Sequence, residues 1–354
     1  MRFAFTDDQL MLRDAVRDFL AKEYTATQVR EAWAAATSPS APDGPLGRPV
    51  WSALAEMGVV GMLIPEADGG MGMTALDQVL LIEESGRAAL ADPIVETAAV
   101  AAPLLARLAP ELNRADWMRA IASGHSTVAV DLPVGSVATP FVVDADRADL
   151  LVAARDDRLV AVASGALRCE RQPSVDGARR LFTVEWDGTA EIVLAEGPAA
   201  ARAVAEAFDR GALGTAAQLV GLADRALEMT VEYVKERRQF GVPIGSFQAV
   251  KHHLADALLQ LEFARPVVYR AASTLAEGSD DRARDVSMAK AYASDAALVV
   301  ARTALQCHGA IGYTVEYDLH LWMKRIWALA AAWGDAAWHR ERVAESLLGP
   351  RPTH

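Results

Sequence analysis

The stretch VKERRQFGVPIGSFQAVKHHLAD, residues 234–256, joins two helical patterns through a short break. Upstream of it, apolar residues recur at helical spacing, and Gly241 ends that pattern. The joint carries Arg237, Arg238 and Phe240. Cations are favoured at helix C-termini, but an arginine also presents a planar fork of donors that suits a pyrophosphate, and a neighbouring aromatic can stack on a flat ring. The residues alone leave both interpretations open.

The composition limits the class of protein. Hydrophobic residues make up 52% of the 354 residues, and the formal net charge is −12. Such a chain forms a large core, while its acidity argues against a nucleic-acid partner, which needs a basic surface. Cys169 and Cys307 are the only cysteines, which indicates a reducing compartment. We find no secretory leader and no membrane-spanning run, and therefore expect a cytoplasmic protein.

The pattern along the chain predicts a mainly α protein with a small β-domain. Residues 1–125 read as an N-terminal helical domain in which Thr6 caps the first helix, and residues 38–49 read as a loop. Residues 126–200 contain short β-prone runs between turn residues, typical of a reduced middle β-domain. Residues 201–354 return to long helical patterns and form a C-terminal helical bundle.

Other candidate motifs carry less information. His252 and His253 are adjacent, so they point about 100° apart on a helix and do not form a metal pair. DGGMGM lacks the spacing of a dinucleotide fingerprint. In QCHGAIGY, residues 306–313, the glycines either end a helix or let a ligand approach the backbone closely.

Three stretches together resemble the acyl-CoA dehydrogenase family in order and spacing. They are WSALAEMGVVGMLIPEADGGMGMTALDQVLLIEESGR, ERRQFGVPIGSFQAVKHHLAD and QCHGAIGYTVEYDLHLWMKR. The resemblance implies an N-terminal helical domain, a middle β-domain and a C-terminal four-helix bundle. It also implies FAD-dependent α,β-desaturation of an acyl-CoA thioester, in dimers or tetramers. The family residues that bind FAD held mainly by a neighbouring subunit correspond here to Arg237, Phe240, Gln248, Gln306 and Gly309.

The catalytic base that the resemblance calls for is missing, so the catalytic residue is unknown. The reaction removes a proton α to the thioester, which needs a positioned base. The family's usual glutamate aligns with Trp333, and the alternative position used by some relatives aligns with Gly211. Asp209 and Asp335 each lie two residues from one of these positions and could substitute. As acids near a helix N-terminus, both also have an ordinary structural interpretation.

The middle region departs further from the family. Family members with a complete flavin site carry a TEP-x-x-GSD loop and a WITN-like strand, and here only DLPVGS, residues 131–136, resembles the first. The segments that reach a neighbour's FAD are therefore kept, while those that face the reacting atoms are degraded.

Three hypotheses follow from this asymmetry. The first is a partner subunit that completes the FAD site of a paralogous acyl-CoA dehydrogenase, in the β-oxidation of fatty acids or of steroid side chains. The second is a self-sufficient homo-oligomeric dehydrogenase with Asp209 or Asp335 as base. The third is a flavin-free binding or scaffold protein with the same fold.

Overall fold

The structure is a computed structural model of the chain. It describes residues 4–37, 49–109, 111–135, 137 and 141–349. Most of the loop predicted at 38–49, and the serine of DLPVGS, lie outside the described residues.

The N-terminal part is helical. Thr6 and Thr74 each form a capping box, which satisfies backbone N–H groups at the start of a helix. A π-helical segment, Val95–Ala101, runs directly into an α-helix, Ala102–Leu108. The helices of this part are α1 Asp7–Glu23, α2 Ala26–Thr37, α3 Pro49–Glu56, α4 Ala75–Arg87, α5 Ala102–Leu108 and α6 Glu111–Ala122.

Two small sheets follow, and a second hydrophobic core fills the space between them. The four-stranded sheet has the order β1-β3-β4-β7, with β1 and β3 parallel, and the three-stranded sheet has the order β2-β6-β5. The strands are β1 Val128–Asp131, β2 Val142–Val143, β3 Leu150–Arg155, β4 Arg158–Ala163, β5 Arg168–Gln172, β6 Leu181–Glu185 and β7 Glu191–Glu196.

The remaining chain forms a helical bundle around one long helix. The helices are α7 Gly197–Glu236, α8 Gln248–Ala276, α9 Arg282–His308, α10 Leu319–Ala331 and α11 Ala336–Leu348. A two-stranded hairpin, β8 Arg238–Gln239 and β9 Val242–Pro243, separates α7 from α8. The prediction of a mainly helical protein with a small β region is confirmed, while the exact domain limits stay a prediction.

Close backbone contact joins the N-terminal helices to the bundle. A Cβ atom on Gly221 of α7 would lie 1.9 Å from the carbonyl oxygen of Glu83 in α4, and one on Gly86 would lie 2.2 Å from that of Gln218. Only glycine allows two helices to approach so closely. One continuous core therefore runs through both helical parts.

Candidate functional site

The hairpin between α7 and α8 holds an exposed aromatic residue in a strained backbone conformation. Phe240 and Gly241 occupy its turn with φ values of +55° and +81°. A two-residue turn with both φ values positive suits Asn-Gly, whereas a bulky residue is an outlier there. The Phe240 side chain is 91% exposed, although its ring meets that of Phe247 edge-on at 6.2 Å. Strain of this kind clusters at ligand contacts.

Arg237 follows the last turn of α7 with its charge available. Its backbone N–H donates to the carbonyl of Tyr233 at 2.8 Å, which fixes the main chain. The guanidinium is exposed, and it has no hydrogen bond or ion pair with any residue that the structure describes. Gln248, also exposed, is the first residue of α8, where free backbone N–H groups attract anions. The joint therefore offers several donors to an anionic ligand.

An aromatic cluster brings the end of α9 to the same end of the bundle. The ring of His308 stacks on that of Tyr233 at 4.2 Å, and Tyr317 contacts both rings, at 4.8 and 5.7 Å. Tyr233 lies one turn before Arg237, and His308 directly precedes Gly309. The two predicted FAD-binding segments are thus held together.

Gly309 ends α9 in a conformation that suits glycine. Its φ is +65° and its ψ is −144°, and no atom would lie within 4 Å of an added Cβ. Its backbone is therefore open to an approaching molecule. We call this surface the hairpin end. It comprises the five predicted FAD-binding residues, all of them exposed: Arg237, Phe240, Gln248, Gln306 and Gly309.

The two positions where the family carries its base meet within the first half of α7, away from the hairpin end. A Cβ on Gly211 would lie 2.5 Å from three ring carbons of Trp333, so the indole lies directly on the glycine. Phe208 contacts the same ring edge-on at 5.6 Å. Neither residue carries a carboxylate, and the Trp333 indole fills the space next to Gly211.

A buried network holds the turn that carries Trp333. Trp333 and Gly334 both have positive φ values, +55° and +87°. The Lys290 ammonium donates to the carbonyls of Ala330 and Gly334 at 3.1 and 2.9 Å, and His339 Nε2 donates to the carbonyl of Trp333 at 2.8 Å. Burial lowers the pKa of Lys290 to about 7. The indole is therefore fixed in place.

The two candidate aspartates have structural roles. Asp209 lies well inside α7, which begins at Gly197, so its interpretation as an acid near a helix N-terminus was wrong. It is buried in an ion pair with Arg342 at 2.6 Å, and burial raises its pKa against the effect of that arginine. Asp335 caps α11 by accepting the N–H of Trp338 at 2.8 Å. Neither residue lines the cavity beside Trp333.

That cavity contains two charged residues that sequence reasoning missed. It has a volume of about 170 Å³ and lies between the strands and the bundle. Glu96, from the π-helical segment, and Arg179, from the loop before β6, line it together with Trp333. One feature of the sequence points to Glu96, which is the only charged residue in the apolar run 93–106.

The described residues were also searched for metal sites and membrane-spanning helices. No three histidine, cysteine, aspartate or glutamate side chains there are grouped as a metal site would require. None of the helices there is both long and apolar enough to cross a bilayer.

Comparison with known proteins matches both helical regions to one family. Residues 6–125 match the acyl-CoA dehydrogenase N-terminal domain, and residues 201–348 match the acyl-CoA dehydrogenase C-terminal domain. The chain is 33% identical over 322 residues to acyl-CoA dehydrogenase IpdE2 of Mycobacterium tuberculosis, covering 90% of this chain and 91% of that protein.

Solved structures share the fold. The Tcur3481-Tcur3483 steroid ACAD superposes with a TM-score of 0.84 at 26% identity, covering 96% of this chain and 98% of that one. The ChsE4-ChsE5 complex of Mycobacterium tuberculosis gives a TM-score of 0.85 at 24% identity, covering 99% and 100% of the two chains, which shows the fold alone.

Proposed function

Because the chain belongs to the acyl-CoA dehydrogenase family, we propose that it is the partner subunit of a heteromeric acyl-CoA dehydrogenase. In this proposal it helps to hold an FAD that is bound mainly by a paralogous chain, and the paralogue supplies the base and the flavin-facing loops. FAD, when bound, supplies the acceptor for the hydride that leaves the β-carbon during α,β-desaturation. We further propose a cytoplasmic location, because Cys169 and Cys307 are free thiols.

One observation carries the proposal. The two base positions of the family are occupied by Trp333 and Gly211, which carry no carboxylate and contact each other. Deprotonation next to a thioester requires a base within hydrogen-bond reach of the α-carbon proton. An indole accepts no proton at neutral pH. A chain of this design contributes to desaturation only where another subunit brings the base.

The hairpin end supports the other half of the proposal. The free Arg237 guanidinium, the N-terminus of α8 and the open backbone at Gly309 together suit a diphosphate. These groups lie on the surface, so a second chain is needed to enclose the ligand. Hydrogen bonds to charged groups contribute about 1.5–3 kcal/mol each, which makes the arginine a substantial part of such a site.

The relatives suggest the class of acyl group. One similar structure is described as a steroid ACAD of two named components, Tcur3481 and Tcur3483. We extend that description to this chain as a proposal: the heteromer acts on a CoA thioester of a bulky acyl group, such as a steroid side chain or a fragment derived from one.

The other two hypotheses have less support. A self-sufficient enzyme would need Asp209 or Asp335 as base, yet the first is paired with Arg342 and the second caps α11. A flavin-free scaffold gives no reason for a strained, exposed Phe240 beside an unpaired arginine.

Acyl-CoA desaturation by the chain alone and by the co-expressed pair tests the proposal. We expect turnover from the pair only. Asp209→Asn and Asp335→Asn in this chain should leave that turnover nearly unchanged, whereas replacing the partner's base should abolish it. If the isolated chain turns over acyl-CoA, and either Asn variant stops it, the partner-subunit proposal is wrong.

A further inference from the structure

A second cavity lies where the N-terminal helices meet the bundle. It measures about 310 Å³ and opens between α1, the end of α4, the middle of α7 and the start of α10. Arg225, on its wall, lies between Gly211 and Arg237 along α7, about 21 Å from the first and about 18 Å from the second at 1.5 Å per residue. The cavity is therefore separate from the Trp333 region and from the hairpin end.

The floor of this cavity is apolar and recessed. The indole of Trp322 is 4% exposed and the side chain of Leu20 is 2% exposed, and Tyr24 and Met229 are buried as well. The indole N–H donates to the carbonyl of Arg87 at 2.9 Å, which fixes the ring. The remaining apolar lining residues are small: Ala21, Ala26 and Ala88. Such a floor suits a flat ring, which can stack on the indole and contact the thioether.

Three arginines from three helices line the same cavity. They are Arg17 of α1, Arg87 of α4 and Arg225 of α7. Arg87 and Arg225 both donate to one oxygen, Oε2 of Glu228, at 2.5 and 2.6 Å. Arg225 therefore has only a counter-charge that it shares with a second arginine.

Two of these guanidinium groups keep unused donors. Arg17 binds Glu84 through Nε and Nη2, so its Nη1 has no hydrogen-bond partner within the described residues. Arg225 donates from Nη1 alone, so its Nε and Nη2 are free in the same part of the chain. Each guanidinium group presents a planar fork that matches the two oxygens of a carboxylate. The cavity thus offers donors to an anion.

The two carboxylates on the wall are already bound by arginines. Glu84, whose side chain is 2% exposed, accepts from Arg17, and Asp318 accepts from Nε of Arg30 at 2.8 Å. A cationic ligand would have to compete with one of these arginines, whereas an anionic ligand meets free donors. The lining therefore selects for negative charge.

The volume indicates the size of the ligand. Small-molecule sites begin at roughly 300 Å³, and an apolar cavity of about 150 Å³ holds one six-membered ring. The cavity at Arg225, with about 310 Å³, is close to the lower limit for such sites. It has room for about two fused rings.

We propose that this cavity binds a flat aromatic carboxylate of about two fused rings. The carboxylate accepts from Nη1 of Arg17 and from Nε or Nη2 of Arg225, and the rings pack on Trp322 and Met229. The bound ligand connects α1 and α4 to α7 and α10, so it stabilises the contact between the N-terminal helices and the bundle. The site requires neither FAD nor a partner subunit, so it fails or succeeds independently of the function proposed above.

Isothermal titration calorimetry of the purified full chain with 2-naphthoate tests the site. We expect saturable binding with a Kd on the order of 0.1 mM, as suits a ligand of this size. The neutral amide 2-naphthamide has the same rings without the charge, and it should bind about tenfold more weakly. The cation 2-naphthylmethylammonium should bind more weakly still. Absence of naphthoate binding, or equal binding of the acid and the amide, would overturn the proposal.

Arg225→Met locates the carboxylate group of the ligand. Glu228 keeps its ion pair with Arg87 in this variant, so the fold should be preserved, and naphthoate affinity should fall about tenfold. Arg202→Met, at an exposed position of the same helix, is the matched control and should change nothing. Equal affinity of the Arg225 variant and its control would contradict the proposal.

Ala88→Phe supplies a second readout that does not depend on charge. Ala88 lies in the cavity wall with an ordinary φ of −78°, so a phenyl ring there should fill the cavity and abolish naphthoate binding. Ala255→Phe, at an exposed position of α8, is the control. Naphthoate should raise the thermal unfolding temperature of the unmodified chain and of the control, but not of the Ala88 variant. Binding that persists in the Ala88 variant would place the ligand elsewhere and overturn the assignment.

Discussion

The two regions of α7 that carry the candidate site residues are built in opposite ways. At the hairpin end, Arg237 and Phe240 are exposed, and the arginine has no partner within the described residues. At the other region, Trp333 covers Gly211, and Lys290 holds the turn from inside the core. The first surface presents donors that have no partner among the described residues, whereas the second is filled by the chain itself. The contrast supports the proposed role of a subunit that lends a cofactor contact and brings no base.

Both regions contain a bulky residue in a strained backbone conformation. Phe240 and Trp333 share a positive φ of 55°, which costs a bulky residue roughly 1–3 kcal/mol. Trp333 recovers part of that cost from ring packing against Phe208, but Phe240 is almost fully exposed. Strain without burial at the hairpin indicates selection for a contact outside this chain.

The largest expected effect comes from Arg237→Ala in the heteromer. The substitution removes a charged, forked donor from the proposed diphosphate site, and FAD affinity should fall about 100-fold, as expected for loss of one or two charge-assisted hydrogen bonds. Arg237→Lys should recover only part of it, because an ammonium lacks the fork. Equilibrium dialysis of FAD against the purified complex measures both. Arg168→Ala, at an exposed position of β5, serves as control, and equal loss in that variant would remove the hairpin end from the account.

The second-largest effect is expected on the stability of Trp333 variants. Trp333→Ala should lower the free energy of unfolding by about 2 kcal/mol, less than for a fully buried aromatic. Trp333→Gly should be more stable than the alanine variant by about 0.5–1 kcal/mol, because glycine tolerates the positive φ. Urea titration resolves the order. An alanine variant as stable as the glycine variant, or more so, would show that the turn relaxes and stores no strain.

Lys290, which holds the turn at Trp333, should make the free energy of unfolding depend on pH. Burial lowers its pKa to about 7 from an unfolded value near 10.5, so between these pH values the unfolded chain binds more protons than the folded one. Stability therefore rises with pH across this window, by up to about 1.4 kcal/mol per pH unit from this residue. Lys290→Met should flatten the rise, and exposed Lys251→Met should not. Parallel pH profiles for the unmodified chain and the Lys290 variant would contradict the buried-amine interpretation.

The smallest effect tests the hairpin. Phe240→Asn creates the Asn-Gly dipeptide that a two-residue turn with positive φ prefers, so thermal unfolding should show a gain of about 0.5 kcal/mol. The same variant should weaken FAD binding by the heteromer, since the aromatic is lost. Phe263→Asn, at an exposed position within α8, should bring no gain in stability. A loss of stability in the Phe240 variant would mean that its side chain stabilises this chain alone.

Local sequence signals were sufficient for most of the fold. The Thr6 cap, the β-prone runs between residues 126 and 200, and the long helices all follow from patterns within one element. Strand β5, Arg168–Gln172, carries little such signal, because it is a polar edge strand with no buried face to create alternation. The strained turn at Phe240 was missed as well, since the residue type argues against it.

Long-range pairing explains what sequence reasoning missed in the site. Asp209 was a candidate base until its partner, Arg342, was located 133 residues away. Glu96 and Arg179 come from separate elements and only the tertiary structure places both in the lining of one cavity. The resemblance to the family assigned Trp333 and Gly211 to the two positions where its members carry the base. The structure brings these two residues into contact.

Absorbance of the chain purified alone, and again with its paralogous partner, gives the ratio of flavin to polypeptide and shows whether FAD binding needs the second subunit. We expect a colourless protein alone and one FAD for each pair of chains in the complex. One FAD per chain in the isolated protein would contradict it.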